Sequence, residues 1–148
     1  MPSVVRTVLD TNTVLSALLF GGRPRELLDL GETGKLSLYT SNLMLDELAG
    51  VLNRSKFAER IAAAVPPATA ASLLQRYAAL ATSAVPGSIE RTVPTDSADD
   101  MVIATALAAN AELIVTGDSD LLVLHPFRGT QILKSTDALE IIRRTTDR

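Results

Sequence analysis

The sequence contains no cysteine and no tryptophan, and His125 is its only histidine. Without cysteine there is no disulfide framework and no thiolate metal site. One histidine, with no cysteine and no Gly-x-Ser-x-Gly elbow, cannot assemble a nucleophilic triad, so His125 reads as structural. Three Phe and two Tyr are too few to expect a stacking platform for several bases. No apolar run approaches the roughly 20 residues of a membrane span. The first residues, Met1 to Arg6, lack the apolar segment and small-residue cleavage site of a secretory signal, so a cytoplasmic location is expected. Gly21-Gly22 reads as a turn, because neither a Gly-Lys-Ser/Thr motif nor a dinucleotide fingerprint follows it.

What is present is an ordinary globular composition: 148 residues, 47% hydrophobic and 21% charged, with a formal net charge of -3. That length suits a single domain over 1–148, large enough to bury its own core. A mildly acidic balance does not exclude nucleic acid, since a nuclease can gather acids in its site and bases on its rim.

Strand and helix signals alternate along the chain. Val4 to Leu9 is short and β-branched and reads as a buried strand, with Thr11, Asn12 and Thr13 available to cap a helix over Val14 to Phe20. Pro24 opens a second helix whose apolar face is Leu27, Leu28 and Leu30. Leu36 to Thr40 alternates as a strand, and Ser41 or Asn42 caps a helix reaching Leu52. Phe57 to Val65 and Ala68 to Ala84 are expected helices separated by Pro66-Pro67. Ile89 to Val93 is a candidate short strand, Met101 to Asn110 a helix, Glu112 to Thr116 and Thr130 to Lys134 strands, and a last helix runs from Ser135 or Thr136 to about Arg144. Interleaving of this kind predicts a parallel-rich sheet covered on both faces.

Four acids stand where such a sheet aims its functional edge. Asp10 follows the first strand, Asp118 follows the strand ending at Thr116, and Glu47 and Asp100 sit on flanking helices. Carboxylates gathered at one point repel unless a cation joins them. Mg2+ takes oxygen ligands and uses few carboxylates directly, so four acids suffice for one or two ions. Each acid also has an ordinary reading: Asp10 as a helix cap, Glu47 as surface charge, Asp99 and Asp100 as first-turn acids, Asp118 and Asp120 as turn formers.

Leu9 to Asn12, Leu45 to Leu48, Asp99 to Ala106 and Val115 to Leu122, taken in order, resemble the PIN-domain family over about Val5 to Ile142, and most closely its bacterial toxin components of toxin-antitoxin systems. The resemblance implies a three-layer α/β/α sandwich with a mostly parallel central sheet, and Mg2+- or Mn2+-dependent endoribonuclease activity. It implies metal ligation by Asp10, Glu47, Asp100 and Asp118, with Asn12 supporting Asp10. By the spacing to Ile103 and Ala104, Asp100 is preferred to Asp99, and Asp120 is the reserve for the fourth acid. Asp96 falls in the loop at the margin of the site. The implied chemistry is attack by a metal-activated water on an RNA phosphodiester, leaving a 5'-phosphate and a 3'-hydroxyl. Arg23, Arg25, Arg54 and Lys56 are the candidate phosphate contacts. A cognate antitoxin covering the acidic pocket and a homodimer are the implied protein partners, with Leu27 to Leu30 and Leu43 to Leu52 available either for interfaces or for the core.

Two other readings remain. Asp10 to Val14 also resembles the nucleophile loop of haloacid-dehalogenase-like phosphatases, although Asn12 stands where that family carries its second Asp. Alternatively the same fold and acids could serve a catalytically silent interaction module.

Overall fold

The computed structural model describes residues 4–87 and 97–146, with the side chains of residues 97, 98 and 146 left out. Among the described residues the strands are β1 (Val5–Leu9), β2 (Leu36–Thr40), β3 (Thr82–Ser83), β4 (Leu113–Val115) and β5 (Gln131–Leu133). They form one sheet in the order β3-β2-β1-β4-β5, and every neighbouring pair is parallel. Val5 lies opposite Leu36 on one side of β1, and Thr7 opposite Leu113 on the other. The strand order reverses between β1 and β4. In an open parallel sheet that switch point leaves a crevice outside the carboxyl ends of the strands.

Alternation along the strands sorts side chains into two cores. Val5 and Leu9 of β1, Leu36 and Leu38 of β2, and Leu113 and Val115 of β4 enter one core. Val8, Ile114 and Ile132 enter the other. The first core is closed by α1 (Thr11–Leu19), α2 (Gly22–Glu32), most of α3 (Asn42–Leu52), α5 (Ala70–Leu80) and α8 (Ser135–Thr146). The second is closed by α6 (Ser97–Ala108) and α7 (Ser119–Leu122), with Met44 reaching across from α3. Helices on both faces of a parallel sheet give the expected three-layer sandwich, and strands covered on both sides need no polar face. No helix among the described residues is long and apolar enough to cross a membrane.

Local chemistry fixes the joints. Asp10 caps α1, Ser41 caps α3, and Thr69 with Ser72 forms a reciprocal capping box on α5. Gly21 and Gly22 both have positive φ, at 82° and 70°, which lets the chain reverse between α1 and α2 without Cβ strain. Leu27, Leu28, Leu48 and Leu52 are at most 2% exposed and belong to the core, whereas Leu43 is 42% exposed.

Several elements differ from the sequence expectation. The helix expected through Ala84 ends at Leu80, where Ala81 turns extended and Thr82–Ser83 pairs with Tyr39 and Thr40 as an edge strand. Alanine's helix propensity is a weak preference that tertiary pairing overrides, and two residues carry no periodicity to read. The stretch expected as helix over Phe57 to Val65 is a 3-10 turn, Ser55–Phe57, followed by α4 (Ala58–Ala62). Val65 precedes Pro66, and a residue before proline is disfavoured in helical geometry. Helix α1 starts at Thr11, because Asp10 itself is the cap. The candidate strand over Ile89 to Val93, and Asp96, lie outside the described residues.

Candidate metal centre

The site forms where β1 and β4 end side by side. The Asp10 amide donates to the Val115 carbonyl at 3.0 Å, so the residue leaving β1 is tied to the last residue of β4. Asp10 is 6% exposed. One carboxylate oxygen, Oδ1, accepts from the Thr13 amide at 2.8 Å, and Oδ2 accepts from the Thr116 hydroxyl. Burial raises the Asp10 pKa above its ordinary value; the bonds from Thr116 and Thr13 oppose that rise, and the charge of Asp118 adds to it. Burial therefore outweighs two hydrogen bonds, and Asp118 is close enough to be felt.

Asp118 leaves the β4 end in extended geometry and caps α7, its Oδ1 accepting from the Asp120 amide at 2.9 Å. Its own amide donates to Thr116 Oγ1 at 3.0 Å. Thr116 thus sits between both acids, donating to one and accepting from the backbone of the other. Asp99 and Asp100 occupy the first turn of α6, 6% and 1% exposed, and one oxygen of each, Oδ2, is buried.

Asp99, Asp118 and Asp120 each offer a carboxylate oxygen within 4.8 Å of the other two. That spacing is only slightly wider than the about 4.2 Å between opposed ligands of an octahedral Mg2+ bound at 2.1 Å. An all-carboxylate donor set with no sulfur or imidazole selects hard cations such as Mg2+ or Mn2+. The grouping takes in Asp99, adjacent to the Asp100 preferred from spacing, and both members of the Asp118/Asp120 pair. Glu47 is half-buried on α3, outside this group. Its helix is held against α6 by a 2.8 Å bond between Ser41 Oγ and Thr105 Oγ1, and Thr105 in turn bonds the Met101 carbonyl.

Asn12 is exposed, and among the described residues the side-chain contacts to Asp10 come from Thr13 and Thr116 instead. The four basic candidates separate. Arg23 lines a cleft together with Asn12, Thr13 and Thr116. Arg25 Nε donates to the Ala17 carbonyl at 2.7 Å and so closes the end of α1. Arg54 lines a different cleft between α3 and α5, and the Lys56 ammonium lies 5.0 Å from the Phe57 ring. His125 accepts the Ile132 amide on Nδ1 at 2.9 Å, which gives it a backbone partner in β5. Beneath the site, Tyr77 is 2% exposed and its hydroxyl has no hydrogen-bond partner among the described residues. Burial, and secondarily the charge of Asp10, push its pKa well above the usual tyrosine range.

Thr116 was legible only in retrospect. A hydroxyl residue ending one strand beside an acid ending its neighbour is the signal, and it requires knowing that β1 and β4 pair. A family model described as PIN domain matches residues 6–120. No curated protein matches the chain.

Proposed function

The chain belongs to the PIN-domain family, and from that premise we propose that it is a Mg2+- or Mn2+-dependent endoribonuclease, the toxin component of a toxin-antitoxin pair. The observation that carries the nuclease reading is the Asp99, Asp118 and Asp120 group beside buried Asp10 at the switch point of the sheet. In this reading those three carboxylates hold the ion, with Asp10, Asp100 and Glu47 completing the acidic surround. A bound divalent ion supplies Lewis acidity toward water and toward a phosphoryl oxygen, and neutralises charge on the leaving oxygen.

The protein's own residues do the rest. Thr13 and Thr116 hold both oxygens of Asp10, so its charge is fixed before substrate arrives. The Ser41–Thr105 bond sets the helix of Glu47 against the helix of Asp99 and Asp100. Arg23, together with Arg25, Arg54 and Lys56, supplies positive charge for the RNA backbone. The products are a 5'-phosphate and a 3'-hydroxyl.

The test is cleavage of labelled single-stranded and structured RNAs with Mg2+, Mn2+ or EDTA, beside Asp10→Asn and Asp118→Asn. Cutting that needs metal and is lost in both variants supports the reading; a folded protein that binds Mn2+ and cuts nothing favours the silent module. For the toxin role, expression should arrest growth, and a co-expressed antitoxin that inserts a basic side chain among the acids should relieve it. Growth unaffected by an enzyme active in vitro would sink that part alone. A homodimer is part of the same proposal, and sedimentation of the purified chain checks it.

A further inference from the structure

A cleft of about 380 Å³ opens beside the acids, between α1, the start of α2, the β4 end and the β5–α8 junction. Its volume falls in the range of small-ligand pockets. Among the described residues, the charged side chains on its wall are Arg23 and Lys134; the polar remainder includes Asn12, Ser16 and Thr136. Its inner wall is formed by Thr13 and Thr116, the two residues that hold the Asp10 carboxylate. A positively charged notch therefore shares a wall with the acidic site, in a chain whose net charge is -3.

Exposed cations are commonly just solvated, but the described residues use theirs unevenly. Arg76, Arg143 and Arg144 pair with Glu32, Glu26 and Glu140, while Arg25 and Arg60 bond carbonyls. Arg23 and Lys134, like Arg6, Lys35 and Arg54, make no ion pair and no side-chain hydrogen bond among the described residues. Both converge on one cleft although they are 111 positions apart in sequence.

We propose that this cleft binds the backbone phosphate next to the scissile one in a single-stranded RNA, with Lys134 and Arg23 as its counter-charges and Asn12, Ser16 and Thr136 as hydrogen-bonding partners. The inference rests on the nuclease reading for its substrate, but the cleft can be probed without cleavage. Lys134 is new as a substrate contact: it directly follows β5, at the same carboxyl edge that carries Asp10 and Asp118.

The experiment is an NMR titration of the full chain in EDTA with adenosine 5'-monophosphate, with wild type beside Arg23→Gln/Lys134→Gln and Lys134→Arg. Amides of 12–16 and 134–136 should shift in wild type and in Lys134→Arg, and not in the double variant. In parallel, single-stranded RNA binding should weaken about tenfold in the double variant at low salt, and the slope of log K against log salt should flatten by about 1.4 for two lost contacts. Shifts elsewhere, or an unchanged slope, overturn the cleft. Wild-type cleavage with metal is scored separately: cleavage that the double variant performs with unchanged KM sinks the cleft and leaves the nuclease. Nucleotide shifts in the cleft of a chain that cuts no RNA support the cleft and sink the nuclease reading.

Discussion

Replacing Asp10 by Asn should stabilise the metal-free protein and abolish most of its stabilisation by metal. The amide is nearly isosteric, and Asn caps helices as well as Asp. Its Oδ1 can keep the Thr13 amide, and its Nδ2 can donate to Thr116 Oγ1, which already accepts from the Asp118 amide; that bond then runs in reverse, and the Thr116 hydroxyl proton must turn from Asp10 to another acceptor. Two contacts therefore survive, weakened from charge-assisted to neutral, while the cost of an ionised group only 6% exposed disappears. The raised pKa gives the sign, because it means burial wins over the hydrogen bonds. Between the ordinary aspartate value of 3.8 and the higher folded value, the native state holds a proton that the unfolded state has released. Metal-free wild type must then lose stability as pH rises through that window, and Asp10→Asn must lack this component of the slope. A net gain of about 1 kcal/mol corresponds to roughly 2–4 °C in Tm for a domain of this size. Metal reverses the ranking: at a Mn2+ concentration of about 100 Kd, wild type gains about 2.7 kcal/mol, and the variant much less. Asp10→Ala should lose the metal response too, and sit about 1 kcal/mol below Asp10→Asn because it also loses the cap. Differential scanning calorimetry of the three proteins in EDTA and in Mn2+, with the EDTA melts repeated from acidic to neutral pH, measures these differences. If Asp10→Asn melts below wild type in EDTA, the burial argument fails; if Mn2+ raises both equally, Asp10 is not coupled to the metal.

Tyr77→Phe removes a buried hydroxyl that lacks a partner among the described residues, so it should leave stability unchanged or raise it by about 1 kcal/mol, read by urea unfolding. A loss of more than 1 kcal/mol would mean that a water in the small void beside Thr11 and Thr40 bonds the hydroxyl. Gly31→Ala should destabilise despite alanine's better helix propensity, because the new Cβ would stand 2.6 Å from Leu38 Cδ1, and Leu38 is 3% exposed. Overpacking of this kind costs about 1–3 kcal/mol against roughly 1 kcal/mol gained in propensity; a Tm above wild type would refute it. His125→Ala should cost about 1 kcal/mol by leaving the Ile132 amide without its acceptor, with no change in RNA cleavage. A variant that keeps its Tm but loses activity would return His125 to the site.

Strands β1, β2 and β4 could be read from the sequence because each fills a core on alternate residues, and β-branched or leucine-rich runs report that directly. Strand β3 could not, since two residues show no period and pair only because β2 offers an open edge. The same holds for α7, four residues long and hidden in what reads as a turn. The placement of Asp10 and Asp118 at the carboxyl edge was legible because topology, not packing detail, puts the residue after each strand there. Between Asp99 and Asp100 the spacing favours Asp100, but neighbours on a helix differ by about 100° in direction and both suit a first turn, so no local pattern states which of them faces the site. Lys134 escaped because its significance depends on β5 lying beside β4, which no local pattern states.

The ordinary reading of these acids does not compete with the proposed functional one. Asp10 caps α1, Asp118 caps α7, and Asp99 lies in the first turn of α6. Parallel strands deliver their chains to one edge, and the helices that follow start there, so cap positions from distant parts of the sequence converge. Caps prefer short oxygen-bearing side chains, and a helix start favours negative charge. The fold thereby gathers carboxylates and supplies Asp10 and Asp118 with backbone donors, which offsets part of their repulsion without any ion. What capping does not require is that Asp99, Asp118 and Asp120 bring oxygens within 4.8 Å of each other while Asp10 stays buried against its own solvation cost. That residual cost, left over after every local use of the acids is counted, is what a divalent cation would remove.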